Sequence, residues 1–264
     1  MTPILSSRLI LPQCTVMTGI LLSLFLVFLP SAGCTGDQTN LGSAAAAEKK
    51  VQMNIEGARL VPVSNWREAR EHVEARVAAA KVGDRPLTVK IDEYMPENFI
   101  IHEDGVNIDW PVSLSADQWH RLLSDEQFEI LRQEGTEPPF ENPLHDNKRK
   151  GIYYSAATGQ PLFRSEDKFD SKTGWPSFTR PIHPLAVAYV WDRSLFSNRI
   201  EVVDSLSGSH IGHVFDDGPP PTGQRYCMNS AALVFVGKEE QPPPLLLPEE
   251  DAASDRKKAE DREI

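Results

Sequence analysis

Cysteine is nearly absent from this chain: 264 residues hold three, Cys14, Cys34 and Cys227. The first two lie in an apolar N-terminal region, so the body of the protein has one thiol and no intrachain disulfide framework is possible there. Positive charge is also short. Lys and Arg number 27 against 38 Asp and Glu, a formal net charge of −11. No basic patch stands out, which argues against nucleic acid as a partner; the acidity mainly implies solubility. Long apolar runs are missing too. The apolar stretch at residues 19–29 falls well short of the roughly 20 residues a membrane-spanning helix needs.

That short run instead fits the h-region of a signal peptide over residues 1–34, with Arg8 supplying charge before it and Pro30, Ser31, Ala32 and Gly33 behind it. Cys34 follows. The arrangement resembles a bacterial lipoprotein signal, in which such a cysteine is lipidated, although Ser31 stands where those signals usually carry Leu. Ordinary cleavage at the small residues and an uncleaved anchor are the other readings. The expectation is export, to the periplasm or as a lipoprotein tethered to the membrane only through Cys34. Residues 35–50 are mostly polar with an alanine run and read as a tether.

Residues 51–112 read as an accessory α+β segment, a packing or docking addition without a chemical constellation. Asn65 and Glu68 offer an N-cap and a reciprocal acceptor, and Trp66, Ala69, Val73, Val77 and Ala80 follow at helical spacing, with Gly83 to stop the helix. Leu87, Val89 and Ile91 alternate as in a strand, and Glu103, Asp104 and Gly105 read as the turn of a hairpin. Ser115 and Ser124 start two short helices, the second ended by Gly135. Residues 137–150 are rich in proline and charge and read as a surface run. Strands are expected over residues 152–157, 160–163, 187–191, 199–203, 210–215 and 225–236. Such short strands without helical pattern between them predict a mainly β domain of antiparallel sheets. Residues 238–264, with three consecutive prolines and then mixed charge, show no apolar face worth burying and read as a disordered tail.

The chemistry concentrates in a few stretches. Residues 223–235 read as a turn and a strand, which puts Arg225, Cys227 and Asn229 on one face. A nearby cation lowers a thiol's pKa, and the thiolate is the nucleophile; a buried structural cysteine is the other reading. In residues 169–178, Gly174 and Pro176 bend the chain around Trp175, whose indole can hold a methyl or sulfur group or simply belong to the core. In residues 208–218, His210 and His213 precede the carboxylates Asp216 and Asp217. The pair suits acid–base work, metal binding or a structural role. Against metal, no cysteine lies near and no third histidine sits at a usual spacing.

The segments Gly-Trp-Pro-Ser-Phe (residues 174–178), His-Ile-Gly-His-Val-Phe-Asp-Asp-Gly-Pro (210–219) and Arg-Tyr-Cys-Met-Asn-Ser (225–230), in this order, resemble the type B methionine sulfoxide reductases. Residues 123–140, with their Gly-Thr-Glu-Pro-Pro-Phe segment, resemble that family's N-terminal helix and following loop. The resemblance covers about residues 113–237, taken as the catalytic domain. It implies two antiparallel sheets with short N-terminal helices, and thiol-dependent reduction of the R epimer of methionine sulfoxide, mainly in oxidised proteins. By position, Cys227 matches the nucleophile, leaving a sulfenic acid after oxygen transfer. Trp175 matches the residue against the substrate methyl, His213 the proton donor to the sulfoxide oxygen, and Asp217 its acidic neighbour. His210, Arg225 and Asn229 match polar residues around the thiol. Many members bind zinc through two Cys-x-x-Cys pairs; here Ser155 and Thr158 hold the first pair's places and Asp204 and Ser207 the second's, which implies no metal. Thr173 stands where many members keep a resolving cysteine, so an external thiol-disulfide reductant, thioredoxin-like or other, is expected in place of a resident cofactor, unless Cys34 serves. A non-catalytic binding module on the same fold and a thiol peroxidase are the competing functions.

Overall fold

The computed structural model describes residues 55–77, 81–82, 85–86, 101–193 and 198–249. The leader, the tether, Ala80, Gly83, the strand expected around Leu87 to Ile91, and residues 250–264 lie outside the described residues.

The fold is mainly β, as the sequence predicts. A seven-stranded sheet runs in the order Ile101–His102, Val187–Asp192, Arg199–Asp204, His210–Phe215, Arg225–Met228, Ser177–Phe178 and Lys168–Phe169. A three-stranded antiparallel sheet is built from Leu233–Gly237, Gly151–Ser155 and Pro161–Arg164. The two meet through aromatic side chains: Phe163 stacks on Phe178 with centroids 4.4 Å apart, and Tyr153 meets Phe178 edge-on at 4.9 Å. Alternation along Arg225–Met228 sends Tyr226 and Met228 into this core, where they are 1% and 0% exposed, and leaves Arg225 and Cys227 on the other face. The Tyr226 hydroxyl is satisfied at 2.8 Å by that of Tyr189.

The helices follow their caps. Ser115 and Ser124 both close reciprocal capping boxes, with Gln118 and Gln127, and start the helices Ala116–Leu122 and Asp125–Gln133. Trp119, Leu122, Phe128 and Leu131 are buried from these helices. The second helix ends one residue earlier than its glycine suggests: Glu134 takes the left-handed conformation (φ 56°), and the Gly135 N–H closes onto Glu129 O at 3.1 Å. In the helix Trp66–Val77, Asn65 Oδ1 caps the N–H groups of Arg67 and Glu68, while Glu68 reaches back to Ser64 instead of Asn65.

Three expectations need correction. The turn after Glu103 forms, with the Val106 N–H donating to Glu103 O at 3.3 Å, but its flanks do not pair. Ile101–His102 joins Val187–Asp192 as a parallel edge strand, and Ile108–Asp109 pairs with Lys81–Val82. An isolated two-stranded hairpin is marginal, and two-residue flanks gain more from the edges of other strands. The single strand expected over residues 225–236 is two strands in different sheets, separated by a turn that starts at Asn229. Residues 238–264 are not one disordered tail. Leu245–Pro248 pairs with Ala58–Val61, and Leu245, Leu246 and Leu247 are 0%, 1% and 0% exposed. In the N-terminal segment, Ile55, Ala69, Val73, Val77 and Val112 share one core cluster with the residues beneath Cys227.

The two flanking segments converge on two turns of the central domain. The Leu246 N–H donates to Thr158 O, and the Val112 N–H donates to Leu206 O, each at 2.7 Å. Trp110 lies over Gly208, whose φ of 63° suits glycine and where a Cβ would fall 2.2 Å from the indole nitrogen.

Candidate active site

Cys227 is a half-buried free thiol in the middle of the seven-stranded sheet, in register with His213 on one side and Ser177 on the other. Thr173 Oγ1 lies 3.8 Å from its sulfur. Burial pushes the thiol's pKa up. Hydrogen bonding from Thr173, the charge of Arg225 and a hydrogen bond with Ser177 pull it back, without overcoming burial. The sequence argument that Arg225 lowers the thiol's pKa therefore gets the sign of one contribution and misses the larger opposing one.

His210 and His213 share the strand His210–Phe215. Residues three apart on a regular strand point to opposite faces. Here the register slips between Val202 and Val203: Val203 pairs with His210 but Val202 pairs with Gly212, so Ile211 is the extra residue of a β-bulge. The bulge turns both histidines to one side, with ring centroids 5.3 Å apart. Asn229 seals it, donating its backbone N–H (2.9 Å) and its side-chain Nδ2 (3.2 Å) to the carbonyl of Ile211. Asn229 is thus 4% exposed rather than lying open beside Cys227.

Each imidazole has a carboxylate partner from the same sheet, Glu201 on the adjacent strand and Asp192 on the strand beyond it. His210 Nδ1 lies 2.6 Å from Glu201, and His213 Nε2 lies 2.8 Å from Asp192. Asp217, the neighbour expected for His213, instead takes the Arg225 guanidinium in a two-pronged pair at 2.8 and 3.0 Å. Asp217 sits in the turn beyond the strand, where Arg225, in register with Phe215, is the cation within reach. That fork holds the Asp217 carboxyl below its usual range. Burial lowers the His213 pKa, with Asp192 opposing it and His210 and Arg199 adding to it. His210 Nε2 is buried without a hydrogen-bond partner.

Trp175 is held by Glu137, whose carbonyl accepts the indole N–H at 3.0 Å. Its loop needs Gly174: φ is 91°, and a Cβ there would come 2.7 Å from the Phe140 nitrogen. Sequence reasoning passed over Glu137 as part of a surface run, yet it is 6% exposed. Its N–H donates to Asn229 Oδ1 at 3.3 Å, and its carboxylate accepts the backbone N–H groups of Ser230 and Ala231. These bonds satisfy the chain where it leaves the Cys227 strand, which is why the strand stops there. The missed residues Glu137, Asp192 and Glu201 share one trait. Each is a carboxylate whose partner lies on a different segment; Glu137 sits in the Gly-Thr-Glu-Pro-Pro-Phe segment, while nothing local to Asp192 or Glu201 marks them as partners of the histidines.

The four positions that the resemblance matches to zinc-binding cysteines come together around Asp204. Asp204 is 0% exposed and accepts Thr158 Oγ1 and Gln160 Nε2 at 2.6 Å each, together with the N–H groups of Leu206 and Ser207. Ser155 adds a further side-chain hydrogen bond; burial nonetheless raises the Asp204 pKa. One carboxylate among hydroxyls, with its lone pairs committed, does not fit the nitrogen and sulfur ligand set of structural zinc.

Residues 123–237 match the SelR domain family. A peptide methionine sulfoxide reductase MsrB of Methanosarcina barkeri is 54% identical over 128 residues, 48% of this chain and 90% of that protein. One from Hahella chejuensis is 47% identical over 124 residues, 47% of this chain and 89% of that protein. A peptide methionine sulfoxide reductase MsrA/MsrB of Vibrio cholerae is 49% identical over 133 residues, 50% of this chain and 35% of that protein. Over the strands that carry Cys227, His213 and Trp175's loop, and over about nine-tenths of the length of the Methanosarcina and Hahella proteins, this chain belongs to the type B peptide methionine sulfoxide reductases.

Proposed function

We propose that this oxidoreductase reduces the R epimer of methionine sulfoxide, mainly in oxidised proteins, through a sulfenic acid on Cys227. The observation that supports this most is the register of Cys227 opposite His213 on a face that also carries Arg225. The Cys227 thiolate attacks the sulfoxide sulfur. Oxygen moves to the cysteine sulfur, one proton is taken up, and methionine leaves: E–S⁻ + R₂S=O + H⁺ gives E–SOH + R₂S. His213 supplies that proton, oriented by Asp192. Arg225 offsets charge as the thiolate forms, a need made larger by burial of the sulfur. Trp175, fixed by Glu137, packs against the substrate methyl. His210, with its buried Nε2 unpaired, faces the oxygen, and Asn229 holds the bulge that aims it. Asp217 acts through Arg225.

Two external thiols return the sulfenic acid to thiol, releasing a disulfide and water. No resident cofactor or zinc takes part. The segment ending at Cys34 exports the protein, to the periplasm or as a lipid-anchored form.

An assay of purified protein on each epimer tests the reading. The R epimer is reduced, the S epimer is not, and Cys227→Ser abolishes turnover at an unchanged melting temperature. Equal activity on both epimers, or an active serine variant, contradicts it. Substituting peroxide for sulfoxide as oxidant separates it from a thiol peroxidase.

A further inference from the structure

Three hydroxyls run in a line to the Cys227 sulfur. Thr173 Oγ1 is 3.8 Å from Sγ, Ser171 Oγ is 2.8 Å from Thr173 Oγ1, and Ser177 Oγ is 2.7 Å from Ser171 Oγ. The far end is fixed, because Ser177 Oγ also lies 3.2 Å from the carbonyl oxygen of Trp175. Ser177 is 0% exposed. The geometry is local in origin: Ser177 is in register with Cys227, and the turn through Lys172 (φ 62°) and Gly174 brings Ser171 and Thr173 back over it.

A hydroxyl has one hydrogen to donate and two lone pairs to accept with, so the line can run in either direction. Pointed at the sulfur, Ser177 donates to Ser171, Ser171 to Thr173, and Thr173 to a thiolate. Reversed, Thr173 accepts a hydrogen from the sulfur side, and Ser177 places the last one on the Trp175 carbonyl. Both orders give every hydroxyl hydrogen an acceptor.

We propose that Thr173 is a catalytic residue that donates to the Cys227 thiolate before oxygen transfer and accepts from the S–O–H of the sulfenic acid after it. Ser171 is a positioning residue that acts through it, and Ser177 orders Ser171 while also hydrogen-bonding the sulfur directly. This deepens the reading of Cys227 as the nucleophile and rests on it. No atom passes along the line; the hydrogens only reorient. Other charged groups near the sulfur are Arg225 on its own strand, already forked to Asp217, and His213 on the adjacent strand. Lys172 and Asp170 pair with each other on the exposed loop at 2.6 Å. Among the contributions that oppose burial at the thiol, Thr173 ranks first.

The test is the pH dependence of iodoacetamide alkylation at Cys227, followed by mass spectrometry of its peptide in the full chain. Thr173→Val removes the donor and disfavours the thiolate, so the half-point moves up by about one pH unit. Thr173→Ser restores the wild-type value, and Ser171→Ala moves it in the same upward direction by less. After one equivalent of sulfoxide, the sulfenic acid of the valine variant decays faster than that of wild type. If folded Thr173→Val and Ser171→Ala both alkylate with wild-type pH dependence while wild type does form the sulfenic acid, the Thr173 assignment falls alone. If wild type forms no sulfenic acid, the nucleophile reading falls with it.

Discussion

The carbonyl of Ile211 accepts two hydrogen bonds from Asn229, one from the backbone N–H at 2.9 Å and one from the side-chain amide at 3.2 Å. Ile211 is the extra residue that puts His210 and His213 on one side of their strand. Asn229 therefore serves the site from beneath. Asn229→Ala removes the side-chain bond to the bulge, keeping only the backbone one, and leaves the Glu137 N–H without its acceptor. We expect a stability loss of about 1–3 kcal/mol by denaturant titration, with a larger fractional loss in kcat/KM than a surface substitution of equal stability cost. An unchanged kcat/KM at reduced stability would remove Asn229 from the site.

Asp192, not Asp217, governs His213. Burial lowers the His213 pKa and Asp192 opposes that shift. Protonated imidazole is the form that gives up a proton, so activity falls as pH rises through the His213 pKa. Asp192→Asn removes the residue that raises this pKa, so the fall moves to lower pH and the rate at neutral pH drops, by about tenfold or more. Asp217→Asn leaves the position of that fall in place and acts through Arg225 alone. Movement of the pH profile by the second variant and not the first would return the role to Asp217.

These pairings explain what the sequence did and did not disclose. Capping boxes and alternation are local, so the helices after Ser115 and Ser124 and the positions of the central strands were legible. Cys227, His213 and Trp175 were legible because each sits in a distinctive short segment. Asp192 and Glu201 were not, since their partners are 21 and 9 residues away and are fixed by strand register and a bulge. The leucines at 245 to 247 follow three prolines and look like a tail. Their burial depends on pairing with Ala58–Val61, more than two thirds of the chain away, which no local pattern encodes.

That pairing yields a prediction about boundaries. A protein ending after residue 237, where the family match stops, loses three fully buried leucines and the cover over Thr158. Each such leucine is worth about 2–5 kcal/mol on truncation to alanine. The shortened protein should be largely insoluble or melt far below the full chain, and Leu246→Ala should be destabilised by about 2 kcal/mol or more. A shortened protein with the full chain's melting temperature would show that these segments contribute nothing to the fold.

Asp204 gathers the donors at the positions that the resemblance matches to zinc-binding cysteines. Purified protein should hold no stoichiometric zinc by elemental analysis, and a chelator should leave its melting temperature unchanged. Asp204→Ala takes the carboxylate from Thr158, Gln160 and the N–H groups of Leu206 and Ser207, leaving Gln160 and Ser207 only their longer bonds to Ser205 Oγ and the backbone carbonyl of residue 204. It should cost about 2 kcal/mol or more. One zinc per chain would overturn this view of the site.

The most direct test of the account is a single turnover. Protein freed of reductant receives one equivalent of the R sulfoxide, and a sulfenic-acid-specific reagent with mass spectrometry reports the state of Cys227. The account predicts one methionine formed per chain and a matching yield of label at Cys227, abolished by prior alkylation of that residue. Stoichiometric methionine formation with Cys227 remaining a free thiol throughout would contradict it.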